Sequence, residues 1–164
     1  MIHVPPWLEE LGKSFKERGY SLYVVGGAIR DQLLNKEVLE WDMATDALPP
    51  ETINLLRAFH CQQIGTIGQR FGTITGAFQG ETIEVTTFRS ENYQQLSRQP
   101  EVKFGSSLRE DLARRDFTIN AIAYDLIEKK IIDPFGGQED IERGLVRAVG
   151  NPEERFSEDP LRML

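Results

Sequence analysis

The chain has 164 residues, 40% apolar and 27% charged, which suits one well-formed core of an ordinary globular domain. No apolar run reaches the roughly 20 residues that span a bilayer, and the start, MIHVPPWLEELGKSF, lacks the basic-then-apolar pattern of a secretory signal. A net charge of −7 argues against a whole-surface affinity for nucleic acid and leaves only a focused basic cleft for a polyanion. A lone Cys61 with only His3 and His60 excludes an internal disulfide and disfavours a zinc centre, so a reducing cytoplasm is expected.

In chain order, PPWLEELGKSFKERGY predicts a helix: proline opens it, Leu8, Leu11 and Phe15 share a face, and Gly19 ends it. SLYVVGG reads as a buried strand running into two glycines, and AIRDQLLN as a short helix with Ile29 and Leu33 four apart. EWDMAT is a second strand, and DALPPETINLLRAF contains a helix entered through a proline-rich turn. FGTITGAFQGETIEVTTFR predicts a hairpin turning at Gln79-Gly80, with Ile83 and Val85 on one side and Thr82, Glu84 and Thr86 on the other. The polar stretch SENYQQLSRQPEVKFG, Ser90 to Gly105, predicts a mobile loop.

SLREDLARRDFTINAIAYDL restores helical spacing through Leu108, Leu112, Ile119 and Ile122. IEKKIIDPFGGQEDIERGLVRAVG alternates short strands, a Gly-Gly turn and a small helix. NPEERFSEDPLRML begins a helix with no stop signal before Leu164, which predicts continuation into a longer protein. Strands and helices alternate with at least one hairpin, so a mixed α/β or α+β sheet domain is expected.

Four groups of residues carry possible chemistry. Gly26 and Gly27 open a helix bearing Arg30, where unobstructed amides and a guanidinium could cradle a phosphate; the same turn could be merely tight. Glu40 and Asp42 alternate about Trp41 on an extended segment, so both point one way: a metal clamp, or two acids on a wet strand. Beside a phosphate cradle they meet what nucleotidyl transfer asks of a two-ion site, namely a few carboxylate oxygens completed by phosphate and water. DLARRDFTINA offers Arg114, Arg115, Asp116 and Asn120; the last two, four apart on a helical face, could hold ribose hydroxyls. The alternative is a surface helix whose Asp111 pairs with Arg114 or Arg115. Asp159 and Arg162, three apart, could present an acceptor and a forked donor to a base edge, or simply cap and brace a helix start.

Taken in order, VVGGAIRDQLL, EWDMATDALPPE, IEVTTFRSE, EDLARRDFTINAIAYD, IIDPFGG and RFSEDPLRML resemble the motifs of class II tRNA nucleotidyltransferases (CCA-adding enzymes) and bacterial poly(A) polymerases. The resemblance runs from Leu22 to Leu164. It implies an α+β head of the DNA polymerase beta superfamily over residues 1–148, with the start of a helical neck at 149–164. It further implies that Gly26, Gly27 and Arg30 bind the triphosphate, and that Glu40 and Asp42 bind two Mg2+ ions. Arg114, Arg115, Asp116 and Asn120 would recognise ribose, and Asp159 and Arg162 would act as a protein template for C or A. Glu84 matches an acid of the family's Glu-Val-Thr-Thr strand, as a third catalytic carboxylate or a solvent-facing one. The implied reaction is template-independent addition of C and/or A to the 3′ end of tRNA from CTP and ATP, with no membrane partner.

Two departures bear on that reading. The family carries Asp-x-Asp where this chain has Glu40, whose carboxylate reaches roughly 1.5 Å further. That opens the alternative of a catalytically impaired nucleotide- or RNA-binding module. Relatives tend to carry Arg-Arg-Pro in the polar loop, whereas this chain has Arg98-Gln99-Pro100. CCA, CC, A and poly(A) addition all stay open.

Overall fold

The computed structural model describes residues 2–90, 103–104 and 107–150. α1 (Pro6–Glu17) opens on proline, whose missing amide would have had no helical partner there. Its Leu8, Leu11 and Phe15 are fully buried, as their spacing requires. β1 (Leu22–Val25) runs into Gly26, and α2 (Gly27–Leu33) starts at once. Gly26 has a φ of +66°, a conformation that disfavours any side chain and allows this abrupt strand-to-helix turn. β2 (Glu40–Thr45) and α3 (Pro49–Ala58) follow, the helix again opened by proline.

β3 (Gln62–Gly65) precedes the hairpin of β4 (Thr73–Phe78) and β5 (Glu81–Thr87). Gln79 and Gly80, with φ of +51° and +79°, make the expected two-residue turn, whose twist matches the strands it joins. β6 (Arg89–Ser90) pairs with β7 (Lys103–Phe104), α4 (Leu108–Ala113) is short, β8 (Ala123–Asp125) pairs with β9 (Lys130–Ile132), and α5 (Gly137–Glu142) follows.

Seven strands form one mixed sheet in the order β3-β4-β5-β2-β1-β8-β9. Every neighbouring pair is antiparallel except β2 and β5, which run parallel with Asp42 beside Glu84. Strand alternation sends neighbours to opposite faces. Val24 and Met43 enter the larger core, with Leu56, Ile74, Ile83 and the apolar face of α1. Val25 and Ala44 enter a smaller cluster with Phe88, Leu112, Ala121, Ala123 and Val149. That second cluster covers only part of its face and leaves a cleft over the middle of the sheet.

Two expectations need correction, and one strand was not foreseen. β3 carries no legible signal, because Gln62 and Gln63 are exposed and the pairing is irregular at the sheet edge. The predicted loop from Ser90 to Gly105 begins and ends in the paired ribbon β6–β7, while residues 91–102 lie outside the described residues.

The single helix expected from Leu108 to Ile122 is broken. α4 stops at Ala113, Phe117 is extended, and only a 3-10 turn covers Thr118–Asn120. The backbone bonds of this stretch go sideways: Thr118 N–H donates to the Arg147 carbonyl, and Val149 N–H to that of Asp116. Leu112 and Ile122 also serve different cores, which no one helical face could do.

Candidate active site

The floor of the cleft is acidic. The parallel register sets Asp42 against Glu84, and alternation along β2 adds Glu40 to the same face. One carboxylate oxygen from each of the three lies within 4.8 Å of the other two. Glu40 is exposed at the strand start, and the others are half-buried. The longer side chain of Glu40 thus still reaches the cluster. Burial pushes the Asp42 carboxyl up to about 6, and the like charges of Glu84 and Glu40 add to this; Arg115 and Arg30 partly offset it. Three carboxylates this close repel one another and favour a cation among them.

The walls are cationic. The cleft, about 370 Å³, is bordered by Asp42 and Glu84 below, by Thr73, Thr86 and Arg89 on one side, and by Arg114, Arg115 and Asp116 on another. The glycine turn acts less as an amide cradle than expected, since Gly26 N–H donates to the Ile122 carbonyl at 3.1 Å. Its glycines instead leave room for guanidinium groups. A Cβ on Gly26 would meet Arg115 Nη1 at 3.1 Å, and one on Gly27 would meet Arg30 Nη2 at 3.3 Å.

Asp116 and Asn120 do come together, but through the 3-10 turn and not a shared α-helical face. Asn120 Nδ2 donates to Asp116 Oδ1 at 3.1 Å, while its Oδ1 accepts from Arg30 Nη1 at 2.7 Å. Asn120 is a bridge that orients Arg30 and Asp116. The turn is anchored by Asp140, a buried carboxylate that accepts from the Thr118 hydroxyl and from Arg147 Nε; those bonds hold its pKa below the ordinary carboxylate value.

Two members of the site were not singled out from sequence. Asp111, considered only for a surface ion pair, is 3% exposed. Its Oδ2 pairs with Arg115 Nη2 at 3.3 Å, and its Oδ1 accepts the Arg89 backbone N–H at 3.0 Å. Arg89 is out of phase with the Glu84–Thr86 alternation and lies just past the end of β5, so strand periodicity gave no signal for it. Asp159 and Arg162 lie outside the described residues. Burial pushes the Cys61 thiol up to about 11, and among the described residues Cys61 is not part of the cluster that could hold a metal ion.

Residues 22–147 match the family of poly A polymerase head domains. The chain belongs to that family. This head domain is 48% identical over 162 residues to the CCA-adding enzyme of Geobacillus sp. (strain WCH70), matching 97% of this chain and 39% of that enzyme. It is 47% identical to the CCA-adding enzyme of Lactobacillus johnsonii over 153 residues, 93% of this chain and 37% of that one. The head domain thus spans well under half the length of the curated relatives it matches. Among solved structures, the Bacillus stearothermophilus CCA-adding enzyme in complex with CTP aligns with a TM-score of 0.82 at 43% identity, covering 98% of this chain and 38% of that one. A tRNA nucleotidyltransferase complexed with a primer tRNA and an incoming ATP analog aligns at 0.75 and 34%, covering 93% and 42%. The expected α+β nucleotidyltransferase head is therefore the fold observed. Family membership implies use of a divalent metal, and the carboxylate trio is where one fits. No helix among the described residues is long and apolar enough to cross a membrane.

Proposed function

We propose that this head domain catalyses template-independent addition of C and/or A to the 3′ end of tRNA, using CTP and ATP, in the cytoplasm. The observation that carries the reading is the meeting of Glu40, Asp42 and Glu84, with Asp42, Glu84 and Arg115 lining one open cleft and Arg30 close enough to act on the Asp42 charge. The named activities of the relatives support it, as does the structural likeness to enzymes solved with CTP and with primer tRNA.

The donor set is carboxylate oxygen alone, which suits Mg2+ over softer metals, and Glu40, Asp42 and Glu84 would hold it. Two such ions would lower the pKa of the RNA's terminal hydroxyl and offset charge on the α-phosphate as pyrophosphate leaves. The remaining roles belong to the chain itself. Arg30 and Arg115 present guanidinium groups to the triphosphate, in the room Gly26 and Gly27 leave. Arg114 adds positive charge at the cleft rim, and Asp116, oriented by Asn120, accepts from ribose hydroxyls. Asp159 and Arg162 would supply the acceptor and forked donor that fit cytosine and adenine.

The test is extension of a 3′-trimmed tRNA with each nucleotide separately, by the full-length polypeptide carrying Glu40 or Glu40→Asp. CTP and ATP are expected to be incorporated and UTP and GTP refused, with Glu40→Asp the faster. Nucleotide binding without incorporation by either form would make the chain a non-catalytic binding module, the alternative that Glu40 opens. Long tails from ATP alone would make it a poly(A) polymerase.

A further inference from the structure

The cleft walls differ on the two sides of the acidic floor. In the strand order β4-β5-β2-β1, Asp42 and Glu84 occupy the middle. On the β1 side stand Gly26, Gly27 and Arg30, assigned above to the triphosphate. On the β4–β5 side, Thr73 is paired with Thr86, their hydroxyls 3.0 Å apart. Arg89 reaches back over this pair and donates from Nη2 to Thr73 Oγ1 at 3.2 Å.

Among the described residues, little else holds this guanidinium. Its backbone is fixed by Asp111, but the side chain makes no ion pair among the described residues. Its Nε is enclosed by protein and meets no acceptor there. Burial and the neighbouring charge of Arg114 both work against its protonated form, with Asp111 and Glu84 opposing. A half-buried cation beside other cations invites an anion, and a guanidinium next to a hydroxyl donor matches a phosphodiester.

Nucleotidyl transfer brings two phosphate-bearing partners to one floor, so it needs an anion subsite on each side. With the nucleotide on the β1 side, the opposite wall is left for the acceptor. We infer that Arg89, with Thr73, grips the last phosphodiester of the RNA strand and so places its 3′-hydroxyl at Asp42 and Glu84. This rests on the proposed function.

Steady-state kinetics of the full-length polypeptide on 3′-trimmed tRNA separate the possibilities, with RNA varied at saturating CTP and CTP varied at saturating RNA. Arg89→Gln is expected to raise KM for RNA about tenfold or more while KM for CTP stays within about twofold. Arg89→Lys should recover part of the loss, and Thr73→Val, nearly equal in volume, should shift RNA KM the same way by less. If one phosphate contact is gone, the slope of log KM for RNA against log salt should fall by about 0.7 in Arg89→Gln. A rise in CTP KM alone would place Arg89 on the triphosphate, and a lower kcat with both KM values unchanged would make it a structural residue; either overturns the inference. Should Arg89→Gln fail to fold, an unshifted RNA KM in Thr73→Val overturns it too. A wild type that incorporates nothing instead overturns the proposed function, and this inference with it.

Discussion

Asp42 and Arg115 border the same cleft, yet they are held there by different means. Asp42 is placed by backbone register: a parallel strand pair sets it beside Glu84 whatever the side chains prefer. Its own electrostatics oppose the arrangement, since burial and two like charges raise its pKa to about 6. Arg115 lies just past the end of α4, and a buried carboxylate holds it. The floor is thus chemically poised but structurally secure, whereas the wall is secure only while its polar contacts last. Groups on sheet strands can afford unfavourable chemistry because the backbone bonds that place them do not depend on it.

The sharpest way to break this comparison is Asp42→Ala. It should lower Mg-dependent incorporation by at least about a hundredfold, the scale for removing one group that stabilises developing charge. Its melting temperature should not fall. Wild-type-like turnover would remove Asp42 from the chemistry, and loss of folding would show that the floor is structural after all.

Asp111→Ala should behave in the opposite sense. It strips the partner from Arg115 and the acceptor from the Arg89 backbone, both inside the protein. A loss of about 3 kcal/mol in denaturant unfolding is expected. A change below about 0.5 kcal/mol would put the wall's stability elsewhere.

Asn120→Ala probes the wall's finer geometry. With the bridge between Arg30 and Asp116 gone, preference for ribonucleotides over deoxyribonucleotides should weaken several-fold, in line with about 0.5–1.5 kcal/mol for one hydrogen bond. The ratio of kcat/KM for CTP and dCTP measures it, and an equal fall for both sugars would assign Asn120 to positioning Arg30 alone.

The smallest effect concerns pH. Folding raises the Asp42 pKa from an ordinary 3.8 to about 6, so the folded chain holds that proton more tightly than the unfolded one. The associated stability is full below about pH 4 and is lost as pH rises through 6. Asp42→Asn escapes that loss. Urea titrations with chelator should show it gaining about 1 kcal/mol on wild type between pH 4 and pH 7, once solvent screening is allowed for. Added divalent ion should narrow the gap by stabilising the wild type.

Elements that depend on near neighbours were legible in the sequence. Leu8, Leu11 and Phe15 mark α1 by period, Val25-Gly26-Gly27 marks the strand-to-helix turn, and Gln79-Gly80 marks the hairpin. The motif order also carried the family. The stretch from Leu108 to Ile122 misled, because helical spacing of apolar residues does not tell whether one core or two receives them. β3 was silent because an exposed edge strand needs no apolar alternation.

By itself, then, the sequence determined the local elements and the supply of acids, glycines and arginines, since period, turn chemistry and composition act over a few residues. The tertiary structure alone decided which of them meet. Glu84 joined Glu40 and Asp42 through a parallel register made across a crossover, Arg30 met Asn120 at a separation of 90 residues, and Asp111 turned inward. Each of these is a contact between distant segments, placed by how the sheet closes and by which polar groups must find partners once water is excluded.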